Sequence, residues 1–154
     1  GRRTGVHEVD VKGLRMLQAD GRTALSEIAR RLEMGNATIH ERVDSLEAEG
    51  YIKEYRAVLE PELLGIDQVA FVHVRTEPGD FSSVAERLAE EPDVQEIREI
   101  TGDYDLLLKA RVQERSDLTG LLTTIGGYDG VVDTSTDVAL RSVKEEHALN
   151  LSTE

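Results

Sequence analysis

The chain contains no cysteine and no tryptophan, and only 3 of its 154 residues are proline. The missing cysteines exclude disulfides, thiol nucleophiles and thiolate zinc sites, as is usual in a reducing cytoplasm. No run of about eighteen apolar residues occurs, so we expect no membrane-spanning helix. The first ten residues also lack the apolar core of a secretory signal. We therefore expect a small cytoplasmic protein of one domain, or of two small ones.

Basic side chains are scarce as well, with 18 Lys and Arg against 31 Asp and Glu. Residues 1–60 are nearly neutral, with 10 basic and 11 acidic side chains, whereas residues 61–154 hold 8 and 20. Arginine outnumbers lysine fourteen to four. This composition is typical of proteins adapted to high intracellular salt, and the alternative is an ordinary acidic protein. At molar salt the Debye length is about 3 Å, so net charge says little about polyanionic partners.

Three short amphipathic helices are predicted in the first fifty residues. The first follows Asp10, which we expect to be its N-cap, and the second spans about 24–33. The third runs from about Ala37 to Glu49. The turn before it contains Gly35, a residue that can adopt the left-handed conformation. Two helices joined by a short glycine-containing turn are typical of a helix-turn-helix.

After the third helix, the segment from Tyr51 to Leu59 reads as extended and could form a wing. Four strands and two helices then alternate as βαββαβ, which is the α+β ferredoxin-like order. The strands are expected at Gln68–Thr76, Val94–Thr101, Tyr104–Val112 and Val131–Leu140, and the third should be central because of its Leu106-Leu107-Leu108 run. We therefore predict a winged helix-turn-helix domain at 6–60, a linker at 61–66 and a second domain at 67–154.

Three stretches carry a family resemblance: LSEIA at 25–29, ATIHERV at 37–43 and TGDYDLLL at 101–108. With the order of elements, they resemble the Lrp/AsnC (feast/famine) family of prokaryotic transcription regulators over nearly the whole chain. One departure is Gly35, where the family usually has a serine that caps the recognition helix. The resemblance implies a DNA-binding regulator that responds to a small effector, an amino acid, and assembles as a homodimer and octamer. With the salt-adapted composition, it suggests a halophilic archaeon as the source.

The third helix would be the recognition helix if Ile39, Val43 and Leu46 face the core. Polar side chains then project outward and could contact base edges or phosphates of double-stranded DNA. The expected DNA-binding residues are Asn36, Thr38, His40, Glu41, Arg42 and Ser45, with Arg22 on the preceding loop and further charge from Arg30 and Arg31. The alternative is a solvated polar face, on which Arg42 pairs with Glu49 or Glu54 within the domain.

A free amino acid presents an ammonium, which requires a carboxylate, and a carboxylate, which suits hydroxyls and backbone N–H groups. Asp103 and Asp105 lie on a tight turn that begins with Thr101 and Gly102, and Thr134 and Thr136 share one face of the last strand. By resemblance, these six residues form an effector pocket with contributions from more than one subunit. The alternative is an ordinary hairpin turn and ordinary strand threonines. We expect no other cofactor and no metal.

An enzyme is the less favoured interpretation. The histidines, at 7, 40, 73 and 147, show no metal-ligand spacing, and His73 fits an ordinary strand position. No phosphate-binding loop and no nucleophile motif occurs. Sirohaem decarboxylases share this two-domain plan, but residues 57–61 replace their histidine-bearing stretch. A third possibility is an adaptor that oligomerises without binding DNA or a ligand.

Overall fold

The computed structural model describes residues 6–151. The described chain forms two compact units, one of residues 6–58 together with 145–151, the other of residues 59–144. The sequence predicts that residues 145–154 belong to the second domain. Residues 152–154 lie outside the described part, but residues 145–151 pack with the first unit and so differ from that expectation.

The first unit contains three helices, α1 at Glu8–Ala19, α2 at Leu25–Arg31 and α3 at Asn36–Ala48. Each buries one apolar stripe, which confirms the periodicity argument. Their shared core consists of Leu17, Ile28, Ala29, Ile39 and Val43.

One local prediction in this unit is wrong. Asp10 is not the N-cap of α1; the cap is His7, and the Asp10 carboxylate accepts a hydrogen bond from the His7 backbone N–H at 3.1 Å. Gly35 is the N-cap of α3, at the capping position that the resemblance gives it. It has an ordinary φ of −69° and does not use its left-handed freedom; the left-handed residue of the turn is Glu33, with φ of 55°. The left-handed residue is Glu33 because α2 ends at Arg31, about two residues earlier than expected, so the chain turns before it reaches Gly35.

The segment expected as a wing, residues 51–59, is non-helical but pairs with no strand in the described chain. It is held to α3 by the Ile52 N–H, which donates to the Leu46 carbonyl at 3.1 Å. The predicted linker is not a plain connection either. Residues 61–65 form a turn in which the Ile66 N–H donates to the Pro61 carbonyl at 3.0 Å.

The second unit has the predicted βαββαβ order, and its bounds differ from expectation mainly at strand ends. The elements are β1 at Gln68–Thr76, α4 at Phe81–Ala89, β2 at Val94–Glu99, β3 at Leu106–Val112, α5 at Arg115–Gly126 and β4 at Val131–Val138. The sheet is antiparallel in the order β2-β3-β1-β4, which makes β3 and β1 central. No helix among the described residues is long and apolar enough to cross a bilayer.

The two faces of this sheet have different roles. Val72 and Val74 of β1 are fully buried in a core that includes Leu88 of α4 and Ile125 of α5. Because side chains alternate along a strand, the β1 residues between and beside these valines lie on the opposite face. We call that opposite side the open face; on β1 it carries Phe71, His73 and Arg75.

Candidate functional site

The outward side of α3 has the exposure expected of a recognition helix. Ile39, Val43 and Leu46 are buried, and the polar side chains between them reach solvent. The exposed residues are Asn36, Thr38, His40, Glu41 and Ser45, all of them predicted; Arg42 is only half exposed, and the predicted Arg22 is exposed on the loop after α1.

The N-terminus of α3 is suited to an anion. Its N-cap residue is Gly35, which has no side chain that could accept a hydrogen bond from the first backbone N–H groups. The first turn of α3 contains no acidic residue. In α1, by contrast, Glu8 and Asp10 lie in the first turn. Within the described residues, neither a cap side chain nor an acidic first turn compensates the positive end of the α3 dipole, an arrangement that favours a phosphate.

Arg42 has a partner that sequence reasoning missed. Its Nε donates to Asp10 Oδ1 at 2.9 Å, and its Nη2 donates to Oδ2 at 2.6 Å. The Asp10 side chain is only 5 % exposed. The intradomain partner is thus neither Glu49 nor Glu54. Since this pair engages the guanidinium, a contact between Arg42 and DNA stays a prediction.

Arg30 and Arg31 on α2 share one carboxylate. Glu27 accepts hydrogen bonds from Arg30 at 2.9 and 2.5 Å and from Arg31 at 2.8 Å. These bonds and the positive charges lower the pKa of Glu27 to about 2. Glu27 therefore stays ionised and cancels part of the charge that these arginines could offer to a DNA backbone.

The turn between β2 and β3 is fastened to β1. Asp105 Oδ2 accepts from the Thr76 backbone N–H at 2.7 Å and from the Thr76 hydroxyl at 3.2 Å. Arg75 Nε donates to the Asp103 backbone carbonyl at 3.0 Å. Asp105 thus anchors the turn through one carboxylate oxygen, whereas the Asp103 side chain is exposed. The predicted Thr101 and Gly102 are exposed as well, and Gly102 has the φ of 115° that its turn requires.

The predicted effector residues Thr134 and Thr136 lie on β4, which pairs with β1. Thr134 is directly opposite Val74, and Thr136 is opposite Val72. Directly opposed residues in an antiparallel pair point to the same face, so both threonines are on the helix-covered side of the sheet. Asp103 lies on the turn between β2 and β3, where its backbone carbonyl accepts from the open-face side chain of Arg75. The two halves of the predicted effector site therefore belong to different elements, this turn and the last strand.

A cluster on the open face was not predicted. The Tyr104 ring lies 5.4 Å from the His73 ring, and the Arg75 guanidinium is 4.8 Å from its centre. The Tyr104 hydroxyl donates to Asp133 at 3.4 Å. Strand alternation puts His73 and Arg75 on one face, but their meeting with Tyr104 and Asp133 depends on strand register. No group of three or more His, Asp or Glu that could hold a metal occurs within residues 6–151.

Comparison with known proteins covers most of the chain. A model of the Lrp/AsnC ligand binding domain matches residues 69–149, and one of the winged helix-turn-helix DNA-binding domain matches residues 10–53. The HTH-type transcriptional regulator FL11 of Pyrococcus horikoshii is 38 % identical over 143 residues, covering 93 % of this chain and 95 % of that protein.

Solved structures agree with the fold. AsnC of E. coli is similar with a TM-score of 0.87 at 26 % identity, covering 93 % of this chain and 97 % of that one. The regulator NMB0573 of Neisseria meningitidis, in its complex with L-Met, has a TM-score of 0.84 at 26 % identity, covering 94 % and 96 %. These comparisons give the sirohaem decarboxylase alternative no support. The chain therefore belongs to the Lrp/AsnC family of DNA-binding transcription regulators with a ligand-binding domain, and it is not an enzyme.

Proposed function

We propose that this regulator reads double-stranded DNA with α3, as a homodimer or octamer, and that an amino acid changes its DNA affinity or oligomeric state. The observation that carries the proposal is the exposed polar side of α3, which begins at an N-terminus without a side-chain cap or an acidic first turn. Such a helix end favours a phosphate and places the following side chains near base edges.

Within that helix, Asn36 and Thr38 are suitable for testing DNA contacts because neither side chain contributes to the buried core. Both are exposed, so their truncation should leave the core intact. Replacing Asn36 by alanine removes a possible bidentate contact with adenine, which is worth roughly 1–3 kcal/mol of discrimination. Thr119→Ala, an exposed threonine on α5, is the matched control for Thr38→Ala.

Quantitative DNA-binding titrations at fixed salt test this assignment. We expect Asn36→Ala and Thr38→Ala to weaken binding without changing the melting temperature, while Thr119→Ala binds like the parent. Equal affinity in all three variants would remove α3 as the reading helix.

The amino-acid effector is supported by the exposed Asp103 carboxylate and by the L-Met complex of NMB0573. Asp103 can receive an ammonium while Asp105 keeps the turn in place. Thr134 and Thr136 would receive the carboxylate of the effector. A second copy is proposed to contribute, because the threonines lie on the helix-covered face of the sheet while Asp103 lies on the turn between β2 and β3.

A thermal-shift screen of the standard amino acids in high salt identifies the effector, since a ligand bound only by the folded state raises the melting temperature. Asp103→Ala should then weaken binding by roughly one to two orders of magnitude, as expected for a charge-assisted bond. The matched control is Asp129→Ala, an exposed carboxylate in the same unit. A screen with no shift in the parent protein would contradict the effector proposal.

Oligomerisation is proposed because a single recognition helix buries too little surface for specific binding, and operators commonly have two half-sites. Light scattering with and without the amino acid measures the assembly.

Salt adaptation is proposed from the acidic second half of the chain. Its charges repel at a Debye length of about 30 Å and are screened in molar salt. An assembly and circular dichroism spectrum unchanged between millimolar and molar salt would contradict it.

A further inference from the structure

The DNA-binding unit contains an open, largely apolar cavity to which the C-terminal segment of the described chain contributes. Its volume is about 630 Å³. It is lined by Leu14 and Leu17 of α1 and by Tyr51 and Tyr55. Leu149 and Leu151, which follow the second unit in sequence but pack here, also line it.

Polar contacts fix this terminal segment in an extended register against α1. Gln18 Nε2 donates to the Leu149 carbonyl at 2.8 Å, and the Leu149 N–H donates to Gln18 Oε1 at 2.7 Å. The side-chain amide of Gln18 thereby pairs with the backbone as a neighbouring strand would. Arg15 Nη2 donates to the Leu151 carbonyl. The site thus recognises an extended backbone with leucines at alternate positions.

These contacts are specific but easily opened. All three hydrogen bonds are exposed, and water competes for exposed bonds. Leu149 remains 70 % exposed, and the segment has no helix or strand of its own. A segment with these properties is expected to open locally at low cost compared with the core.

We propose that residues 145–151 are a detachable strap of the DNA-binding unit, bound in cis by the cavity between α1 and residues 51–55. The strap holds α1, and α1 carries Asp10, to which Arg42 of α3 is bound. Release of the strap therefore loosens the support of the recognition helix. The occupant of the cavity is the chain's own C-terminal segment, not a small molecule.

Truncation of the full chain after Ala148 tests the strap. We expect the melting temperature to fall by about 5 °C, the scale on which small domains respond to the loss of a few weak contacts. DNA binding should weaken in parallel. A peptide of residues 143–151 with an amidated C-terminus, which keeps the Leu151 carbonyl as an acceptor, should restore both. Unchanged melting on truncation, or no restoration by the peptide, would overturn the strap.

Point variants keep the test independent of the deletion. Gln18→Ala removes both bonds to Leu149 and should lower the melting temperature, while Gln113→Ala, an exposed glutamine of the other unit, should not. The truncated chain carrying Gln18→Ala should respond less to the peptide than the truncated parent. An equal response would overturn the role given to Gln18. Unchanged DNA affinity in a chain whose melting has shifted would overturn the link to Asp10.

Cross-linking decides between cis and trans binding. The protein has no cysteine, so Tyr55→Cys with Leu149→Cys places thiols only at two residues that line the cavity. A short bis-maleimide should join them within one chain, seen as a cross-linked monomer on a denaturing gel. A covalent dimer that requires both cysteines would overturn cis binding and assign the cavity to the segment of a second copy. No cross-link would overturn the docking itself.

Discussion

The carboxylate of Asp10 on α1 and the guanidinium of Arg42 on α3 form a two-point ion pair, with N–O distances of 2.9 and 2.6 Å. Asp10 is almost fully buried, whereas the Arg42 side chain is 34 % exposed. A buried carboxylate is costly unless it is paired, so this contact fixes α3 relative to α1. The pair thus links α3 to α1, the helix that also binds the C-terminal segment through Gln18.

Arg42→Ala leaves the Asp10 carboxylate without its cation and should destabilise the protein by roughly 1–3 kcal/mol. Urea unfolding measures this loss. Asp10→Asn separates the two roles of Arg42, because it breaks the ion pair but keeps the guanidinium. If Arg42 acts only by positioning α3, both variants weaken DNA binding alike. If Arg42 contacts DNA directly, Asp10→Asn binds more tightly than Arg42→Ala.

Glu27→Gln should tighten DNA binding at low salt. The substitution removes the negative charge that Arg30 and Arg31 share, so both can approach phosphates. Each additional phosphate contact also steepens the dependence of log affinity on log salt by about 0.9. Glu86→Gln on α4 makes the same charge change on an exposed residue of the other unit and serves as the control. Equal affinities for Glu27→Gln and Glu86→Gln would contradict the expectation.

Gly130→Ala should destabilise the protein by at least about 2 kcal/mol. Gly130 has φ of 93°, and a Cβ there would lie 2.7 Å from the Asp80 Cβ. Gly120→Ala in α5 is the matched control, since its Cβ would meet nothing within 4 Å and alanine favours a helix by about 0.5–1 kcal/mol. Thermal unfolding should show opposite shifts for the two variants; shifts of the same sign would refute the strain argument.

The protein should lose stability as the pH rises from about 10 to 12. Partial burial and the hydrogen bond to Glu47 raise the pKa of Tyr55 to about 12, and burial with the bond to Glu91 does the same for the pKa of Tyr128. An unfolded tyrosine ionises near pH 10, so the contribution is full below that value and is lost as pH passes the folded pKa.

Ultraviolet titration of tyrosinate, combined with unfolding at each pH, measures this effect. Replacing both Tyr55 and Tyr128 by phenylalanine should remove the late ionisation steps and flatten the alkaline decline. A decline of the same steepness in the double variant would show that other groups cause it.

Local pattern determined most of the fold. The span of β1, Gln68–Thr76, follows from the sequence residue for residue, because apolar alternation and the flanking turn residues specify a strand without distant help. The helix stripes of the first unit follow for the same reason. The sequence also predicts the outward side of α3. Once Ile39 and Val43 face the core, helix periodicity leaves the polar side chains between them exposed.

A partial signal existed for the ion pair. Asp10 occupies the apolar stripe of α1 four and seven residues before Leu14 and Leu17, so its side chain had to be buried and paired. The sequence does not identify Arg42 as the partner of Asp10. The two residues are 32 positions apart, and the crossing of α1 and α3 determines whether their side chains meet.

Local patterning thus specifies the set of elements, their order and the inward side of each. Long-range packing sets which face of the sheet receives Thr134 and Thr136, the contact between Tyr104 and His73, and the pairing of Leu149 with Gln18 across 131 residues. Periodicity cannot specify these contacts, because it records only which side of an element avoids water. Register, helix crossing and chain return depend on contacts between residues far apart in sequence, whose pairing no local pattern specifies.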